Sequence, residues 1–177
     1  MKGDRASWIA VFVGAAVVLG VVGIAVFDAV REAGAGDVSS DGWTLPALVG
    51  DGEVALDDFR GTPVVLNFFA SWCTACEAEL PEFRETAEAL RGEVRFVFIN
   101  SQDSGDLGLG MAQEHGIDSE VMVRDFGSNN SAMFRALGGR GMPITAFYDA
   151  DGQLVRVSSG ALLGGALTQN LTDLGFI

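Results

Sequence analysis

The sequence predicts an α/β domain with a mixed central sheet flanked by helices, which begins with a β-hairpin and follows one transmembrane helix. Three observations predict this fold class. Apolar strand-like segments alternate with helical segments between residues 63 and 137, a hairpin pattern stands at each end of this region, and an uncharged apolar run lies near the N-terminus. Strands that alternate with helices pair in parallel, and a hairpin adds an antiparallel strand, so the sheet is mixed.

The N-terminal segment is predicted to span a membrane. Residues 8–27, WIAVFVGAAVVLGVVGIAVF, contain no charged side chain. A helix of this length covers roughly 30 Å, which is the thickness of the hydrocarbon layer of a bilayer. A cleaved signal peptide is the alternative, because small residues suited to cleavage follow at positions 33–35. The apolar part of a signal peptide is usually only about 7–15 residues long, so we predict an uncleaved anchor.

Basic residues give this anchor its direction. Lys2 and Arg5 precede the apolar run, and a single basic residue follows it closely. The positive-inside rule therefore predicts that residues 1–7 form a cytoplasmic tail. Residues 28–42 are small, polar and rich in glycine, which predicts a flexible linker, and residues 43–177 form the domain. We expect a single-pass protein of the cell membrane with its domain on the extracytoplasmic side.

The charge of the chain excludes some partners. The formal net charge is −13, and residues 1–36 contribute nothing to it because their acidic and basic residues are equal in number. A domain this acidic is not expected to bind nucleic acid or an anionic lipid surface.

Apolar periodicity and turn residues predict each element of the domain in order. The predicted elements are a hairpin of strands 43–48 and 53–56, a helical turn at 57–61, strand 63–69, a helix opened by Cys73 and ended by Gly92, strand 94–100, helix 104–116, strand 121–123, helix 130–137, a second hairpin of strands 144–148 and 154–158, and helix 161–174. Strand 63–69 is apolar on both faces and is predicted to lie in the middle of the sheet.

The chain has two cysteines, Cys73 and Cys76. A disulfide between residues this close closes too small a loop to stabilise the fold much, so the spacing favours a reactive pair. Cys73 opens a helix, where free N–H groups and the helix dipole favour its thiolate. We expect an exposed Cys73 to attack a substrate disulfide, and an inward-pointing Cys76 to resolve the mixed disulfide.

Two neighbouring side chains are candidates for the same site. Trp72 is expected to shield one side of the cysteine pair, with simple packing as the alternative. Glu79 lies one helical turn beyond Cys76, where a partly buried carboxylate can exchange a proton with it. The alternative for Glu79 is an exposed helix residue, as Glu82 and Glu85 are expected to be.

Two sequence segments together resemble a known family. NFFASWCTACEAELP at residues 67–81 and GMPITAFYDADGQLV at residues 141–155 resemble the thioredoxin superfamily. More narrowly, they are similar to its membrane-anchored extracytoplasmic thiol-disulfide oxidoreductases of the TlpA, ResA and DsbE type. The resemblance extends over residues 43–174 and implies a thioredoxin-like fold with a cis bond between Met142 and Pro143, packed beside the disulfide.

The resemblance also implies roles for other positions. It places Asn67 where cytoplasmic thioredoxins carry a buried aspartate, and it supports Glu79 in proton transfer. It suggests that the backbone around Met142 pairs with a bound substrate as an added strand. Trp72, Thr74, Ala75 and Met142 are then expected to contact the substrate; Thr74-Ala75 and Met142 depart from the commoner family residues.

The resemblance implies an enzyme that needs no cofactor or metal beyond a redox-active Cys73–Cys76 disulfide. Its expected partners are protein thiols and disulfides, among them apocytochrome c, and a membrane thiol-disulfide electron donor. Glu77 and Glu79 place negative charge near the thiols, which opposes thiolate formation. We therefore expect a reductant.

Three alternatives remain open. A peroxiredoxin shares the fold, but its pattern needs Thr or Ser three residues before the reactive cysteine, where this chain has Ala70. A copper chaperone would need a distant histidine, and His115, the single histidine, is placed to interact with a helix end. The third alternative is a purely structural disulfide.

Overall fold

The computed structural model describes residues 38–127 and 130–177, and each of the predicted strands and helices of the domain has a counterpart there. The elements are β1 (Val38–Ser39), β2 (Gly42–Pro46), β3 (Glu53–Ala55), a 3-10 turn (Leu56–Phe59), β4 (Val64–Phe69), α1 (Thr74–Ala89), β5 (Arg95–Ser101), α2 (Gly105–Glu114), β6 (Val121–Asp125), α3 (Ala132–Ala136), β7 (Ile144–Tyr148), β8 (Leu154–Ser159) and α4 (Ala166–Asp173).

The predicted membrane anchor lies outside the described residues, as do the cytoplasmic tail and most of the linker. Among the helices of residues 38–127 and 130–177, none has the length and apolarity needed to cross a membrane. Strand β1 pairs with β2 in antiparallel fashion, so the last residues of the segment 28–42 that the sequence predicts to be a linker belong to a small sheet.

The central sheet has five strands in the order β6-β5-β4-β7-β8. Strands β4, β5 and β6 run parallel, whereas β7 is antiparallel to β4 and β8 is antiparallel to β7. The mixed sheet is therefore confirmed. Strands β2 and β3 form the predicted N-terminal hairpin, which meets the edge of the main sheet where the Leu48 N–H donates to the Met122 carbonyl at 2.9 Å.

Strand β4 is the middle of the molecule, as its composition predicts. All six of its residues are buried. Val65 and Phe69 face one apolar cluster, and Leu66 and Phe68 face a second cluster on the opposite side of the sheet. The alternation of side chains along a strand thus lets one apolar segment hold two helical layers together.

Helix α1 covers the first of these clusters with the predicted stripe. Leu80, Phe83 and Ala87 are buried in it, together with Leu167 and Leu171 of α4. On the other side, Met133 and Phe134 of α3 pack with β2 and the 3-10 turn, and the Phe68 and Phe134 ring centroids are 6.0 Å apart.

The last two helices are shorter than the sequence predicts. Helix α4 begins at Ala166 and not at residue 161, because Gly164 and Gly165 have left-handed φ angles of +64° and +87° that end the helical path. Helix α3 begins at Ala132 because Asn130 and Ser131 also have positive φ angles.

A glycine in α2 makes a close approach that gives a test of this packing. A Cβ atom at Gly108 would collide with the buried Asn100 side chain, whereas a Cβ at Gly110 would meet no described atom within 4 Å apart from its own helix backbone. We expect Gly108→Ala to lower the free energy of unfolding by about 1–3 kcal/mol, as overpacking does. Gly110→Ala should raise it by up to about 1 kcal/mol through helix propensity. Urea denaturation measures the free energy of unfolding of both variants. Equal changes in the two variants would contradict the close approach of Gly108 to Asn100.

Candidate active site

The candidate site lies at the end of the central sheet that is formed by the carboxyl ends of β4 and β5, where three chain segments converge. The loop 70–73 leaves the carboxyl end of β4, and the loop 101–104 leaves the carboxyl end of its parallel neighbour β5. In the antiparallel register Phe68 lies opposite Ile144, so Pro143 precedes β7 at the same end. Segments that are far apart in sequence are thus brought together by strand order.

The two cysteines form a disulfide at the start of α1. Their Sγ atoms are 2.01 Å apart. Cys73 is the N-cap residue of the helix, and its Sγ accepts the Cys76 N–H at 3.1 Å, which confirms that Cys73 opens the helix. A thiolate on Cys73 would meet this donor and the positive end of the helix dipole, both of which stabilise it.

The exposure of the two cysteines corrects one expectation. Cys73 was predicted to be exposed, but only 5% of its surface is accessible, and Cys76 is fully buried. Both cysteines belong to the apolar cluster that also contains Leu162 and against which Met142 packs, two residues that lie far along the chain. The order of the two is as predicted, because Cys73 alone has any exposed surface.

Asp103 holds the cysteine loop in place, and the sequence analysis missed it. Its carboxylate accepts the Ser71 N–H at 2.6 Å, the Ser71 hydroxyl at 2.9 Å and the Asn100 amide at 3.0 Å. Burial alone would raise the pKa of Asp103, but the donors around it hold the pKa below its usual value. The sequence signal was an aspartate two residues after β5, which indicates this contact only once β5 is known to be the parallel neighbour of β4.

Trp72 is held by its polar atom while its ring remains accessible. The indole Nε1–H donates to the Gln102 carbonyl at 2.9 Å, and 57% of the residue is exposed. Trp72 is thus anchored on one side and open to solvent on the other, and both expectations for it, a shield of the cysteine pair and simple packing, stay open. Thr74 and Ala75, between the two cysteines, are also exposed, so all three side chains are accessible to a substrate.

The peptide bond between Met142 and Pro143 is cis, as the resemblance implied. Pro143 is buried, and its carbonyl accepts the Gly160 N–H at 2.9 Å. Met142 is half-buried and packs against the cluster that contains both cysteines. Within the described part of the chain, the backbone N–H and carbonyl of Met142 make no hydrogen bond.

Glu79 is fully buried, so the alternative of an exposed helix residue is wrong. Its Oε1 accepts from the Asn67 amide at 2.7 Å, and its Oε2 accepts the Leu162 N–H at 2.8 Å. Burial raises the pKa of Glu79 to about 7, against the opposing effect of these two donors. A carboxyl group with this pKa can both accept and release a proton at neutral pH.

Three observations bear on the peroxiredoxin and copper-chaperone alternatives. Ala70, three residues before Cys73, is buried and offers no hydroxyl where the peroxiredoxin pattern requires one. His115 ends α2, and its Nε2 is 3.8 Å from a Glu77 carboxylate oxygen. Over residues 38–127 and 130–177, no three His, Cys, Asp or Glu side chains are grouped so that they could hold a metal ion.

Comparisons with known proteins agree with this geometry. The Redoxin family matches residues 37–170. A thiol:disulfide interchange protein DsbE of Pseudomonas fluorescens biotype C is 33% identical over 110 residues, which cover 62% of this chain and 58% of that protein. A thiol-disulfide oxidoreductase ResA of Geobacillus thermodenitrificans is 24% identical over 123 residues, which cover 69% of this chain and 68% of that protein. The chain thus spans a little over half the length of the DsbE relative.

Solved structures agree on the fold. A structure of Mycobacterium tuberculosis DsbF in mixed oxidised and reduced forms superposes with a TM-score of 0.68 at 23% identity, over 76% of this chain and 96% of that one. A secreted M. tuberculosis disulfide oxidoreductase homologous to E. coli DsbE gives a TM-score of 0.62 at 22% identity, over 73% and 94% of the two chains. The chain therefore belongs to the Redoxin family, with a thioredoxin-like fold, and its relatives include thiol-disulfide oxidoreductases of the DsbE and ResA type.

Proposed function

We propose that this protein exchanges thiols and disulfides with protein substrates through Cys73 and Cys76. The observation that carries the proposal is the unequal placement of the two sulfur atoms. Cys73 lies at the N-terminus of α1 with some accessible surface, while Cys76 is fully buried one turn further on. An incoming disulfide can therefore reach only Cys73. Cys76 is placed to attack the resulting mixed disulfide and release the substrate.

The proposed reaction transfers two electrons from the reduced pair to the substrate. The Cys73 thiolate attacks one sulfur of a substrate disulfide, forms a mixed disulfide, and releases the other substrate sulfur as a thiolate that takes a proton. Cys76 then loses its proton to Glu79 and attacks the Sγ of Cys73. The second substrate sulfur leaves as a thiolate that takes up a proton, Glu79 releases the proton that it took from Cys76, and the protein is left with the Cys73–Cys76 disulfide seen here.

The surface around Cys73 suits an extended peptide. The free backbone groups of Met142 can pair with a substrate strand, a recognition mode in which main-chain hydrogen bonds supply affinity. The exposed Trp72 ring, Thr74 and Ala75 border the pair on the α1 side. We assign these four residues to substrate contact.

We further propose that the reaction runs as a reduction on the extracytoplasmic side of the cell membrane, with residues 8–27 as the anchor. Glu77 and Glu79 lie close to the thiols in sequence, and residues 37–177 contain no lysine to offset their charge. Negative charge destabilises the thiolates and so favours the disulfide form of this protein, which makes the pair a reductant. Oxidised cysteines of apocytochrome c are the proposed substrate, and a membrane thiol-disulfide protein is the proposed electron donor.

Trapping of the intermediate tests the reaction and the substrate together. We expect reduced Cys76→Ser protein to form a covalent adduct with apocytochrome c whose haem-binding cysteines have been oxidised, because the mixed disulfide on Cys73 cannot be resolved. A non-reducing gel measures the adduct. Cys73→Ser is the matched control and should give none. Absence of an adduct with Cys76→Ser would contradict the proposed substrate, and adducts of equal yield in both variants would contradict the assignment of the attacking cysteine.

The direction of transfer is tested by the reduction potential. We expect a value closer to the roughly −270 mV of thioredoxin than to the roughly −120 mV of a strong oxidant. Equilibration with dithiothreitol and glutathione buffers, followed by tryptophan fluorescence, measures it. Glu77→Gln should raise the potential by roughly 5–20 mV, since partly exposed charges interact by about 0.2–1 kcal/mol and 30 mV equals about 1.4 kcal/mol. Glu85→Gln, further along the same helix, is the control. A wild-type value near −120 mV would contradict a reductant.

The pH dependence tests Glu79. Because burial raises the pKa of Glu79 to about 7, its ionised form becomes available as a proton acceptor only as the pH rises through about 7. We expect the rate of mixed-disulfide resolution to rise over this range in the wild type. In Glu79→Gln the rate at pH 7 should fall about 100-fold, and its rise should move to higher pH. Stopped-flow measurements from pH 5.5 to 9 give both profiles, with Glu85→Gln as control; superimposable profiles would remove Glu79 from the mechanism.

A further inference from the structure

Asn67 lies in the middle of β4, is only 1% exposed, and has one of its two side-chain polar atoms unpaired within the described part of the chain. The Nδ2 group donates to Glu79 Oε1 at 2.7 Å and lies 3.5 Å from Thr145 Oγ1, which is its cross-strand neighbour on β7. The Oδ1 atom is buried and has no hydrogen-bond partner in the described part of the chain. An unpaired buried carbonyl costs about 1–3 kcal/mol, so its presence calls for a physical reason.

The observed orientation suits an ionised Glu79. A carboxylate accepts from both of its neighbours, the Asn67 amide and the Leu162 N–H. When Glu79 takes a proton on Oε1, the new O–H faces an N–H₂ group, so two donors oppose each other. Rotation of the Asn67 amide by half a turn removes this conflict, because Oδ1 then accepts from the Glu79 O–H.

Thr145 makes the second orientation favourable as well. After rotation, Oδ1 lies where Nδ2 lay, within reach of the Thr145 hydroxyl, which can donate to it. The observed orientation leaves Oδ1 unpaired, and the rotated one leaves Nδ2 unpaired. Each state of Glu79 therefore has one matching orientation of Asn67, at a similar cost.

Among the described residues, the hydrogen-bond partners of Glu79 from other elements are uncharged. Strand β4 presents Asn67, which is itself next to Thr145 of β7, and the segment 160–165 presents the Leu162 N–H. The charged groups of β8 and α4 are Arg156 and Asp173, which lie 3.9 Å from each other. On α1 itself, Glu82 acts on Glu79 and accepts the Gly165 N–H at 3.0 Å.

We propose that Asn67 is a positioning residue that follows the protonation state of Glu79 by rotating its amide, donating to the carboxylate and accepting from the acid. Thr145 is the partner that holds the rotated form. The inference rests on the proposed function, in which Glu79 carries the proton of Cys76. The further inference is that Glu79 can take up and release the proton in its buried site while a hydrogen bond between Glu79 of α1 and Asn67 of β4 is kept.

The test follows the titration of Glu79 directly, by ¹³C NMR of the full chain in detergent micelles with carboxyl-labelled glutamate. Glu79→Gln assigns the signal. We expect Asn67→Asp to raise the midpoint of Glu79 by at least one pH unit, a tenfold tighter hold on the proton, since a second carboxyl group would then lie within hydrogen-bond distance. An unmoved midpoint would overturn the coupling of residue 67 to Glu79.

The sign of the change in Thr145→Val decides whether the amide rotates. With rotation, the hydroxyl donates to the Oδ1 carbonyl in the protonated state, whereas in the ionised state it only accepts from Nδ2, at 3.5 Å. An amide carbonyl is a better acceptor than a hydroxyl oxygen, so the loss of the hydroxyl costs the protonated state more, the midpoint falls and the proton is held about two- to tenfold less tightly. With a fixed amide, Thr145 only accepts from Nδ2, and its loss leaves the midpoint unchanged or raises it, which would overturn the proposal. Valine has the shape of threonine, so this variant decides the question even where Asn67→Asp fails to fold.

These titrations need no substrate. Failure of the Cys76→Ser trap with the expected midpoint shifts would refute the proposed substrate and leave the Asn67–Glu79 coupling standing. A working trap with a midpoint that does not fall in Thr145→Val would support the proposed substrate and refute the rotation of the Asn67 amide.

Discussion

The buried carboxylate of Glu79 joins three parts of the molecule that are far apart in sequence. It belongs to α1, and it accepts hydrogen bonds from Asn67 of β4 and from the backbone of Leu162. Burying a carboxylate is costly unless donors surround it, and two donors only partly offset the loss of water, which is why the pKa of Glu79 rises to about 7. The same interaction thus ties the segment 160–165 to α1 and sets the proton affinity that the proposed chemistry uses.

The elements that the sequence predicted well are those whose pattern is local. The apolar run of β4, the stripe of Leu80, Phe83 and Ala87, and the position of Cys73 at a helix start each depend on spacing within one segment. The cis bond at Pro143 followed only from the family resemblance, because few X–Pro bonds are cis and no local pattern reveals one.

Three features could not be predicted because they depend on tertiary contacts. The segment 161–165 has the composition of a weak helix start, but hydrogen bonds from Leu162 and Gly165 to carboxylates of α1 hold it in the non-helical conformation in which Gly164 and Gly165 have left-handed φ angles. The contact of Asp103 with Ser71 requires knowing that β4 and β5 are parallel neighbours. The near-complete burial of Cys73 occurs within an apolar cluster that includes Leu162, Leu167 and Leu171, far along the chain.

Two opposing electrostatic effects act on the proposed redox pair. The N-terminus of α1 stabilises a thiolate on Cys73, while the acidic residues that follow on the same helix destabilise it. Glu77 is exposed, so water and salt screen its charge. Glu79 is buried and unscreened, but burial raises its pKa to about 7, so its protonated and ionised forms are both accessible near neutral pH. Of the Glu77 and Glu79 charges, that of Glu79 therefore opposes the Cys73 thiolate more strongly. This charge is absent whenever Glu79 holds the proton of Cys76. In the proposed mechanism, the group that accepts the proton is thus also the group whose charge makes the pair reducing, and pH changes both properties together.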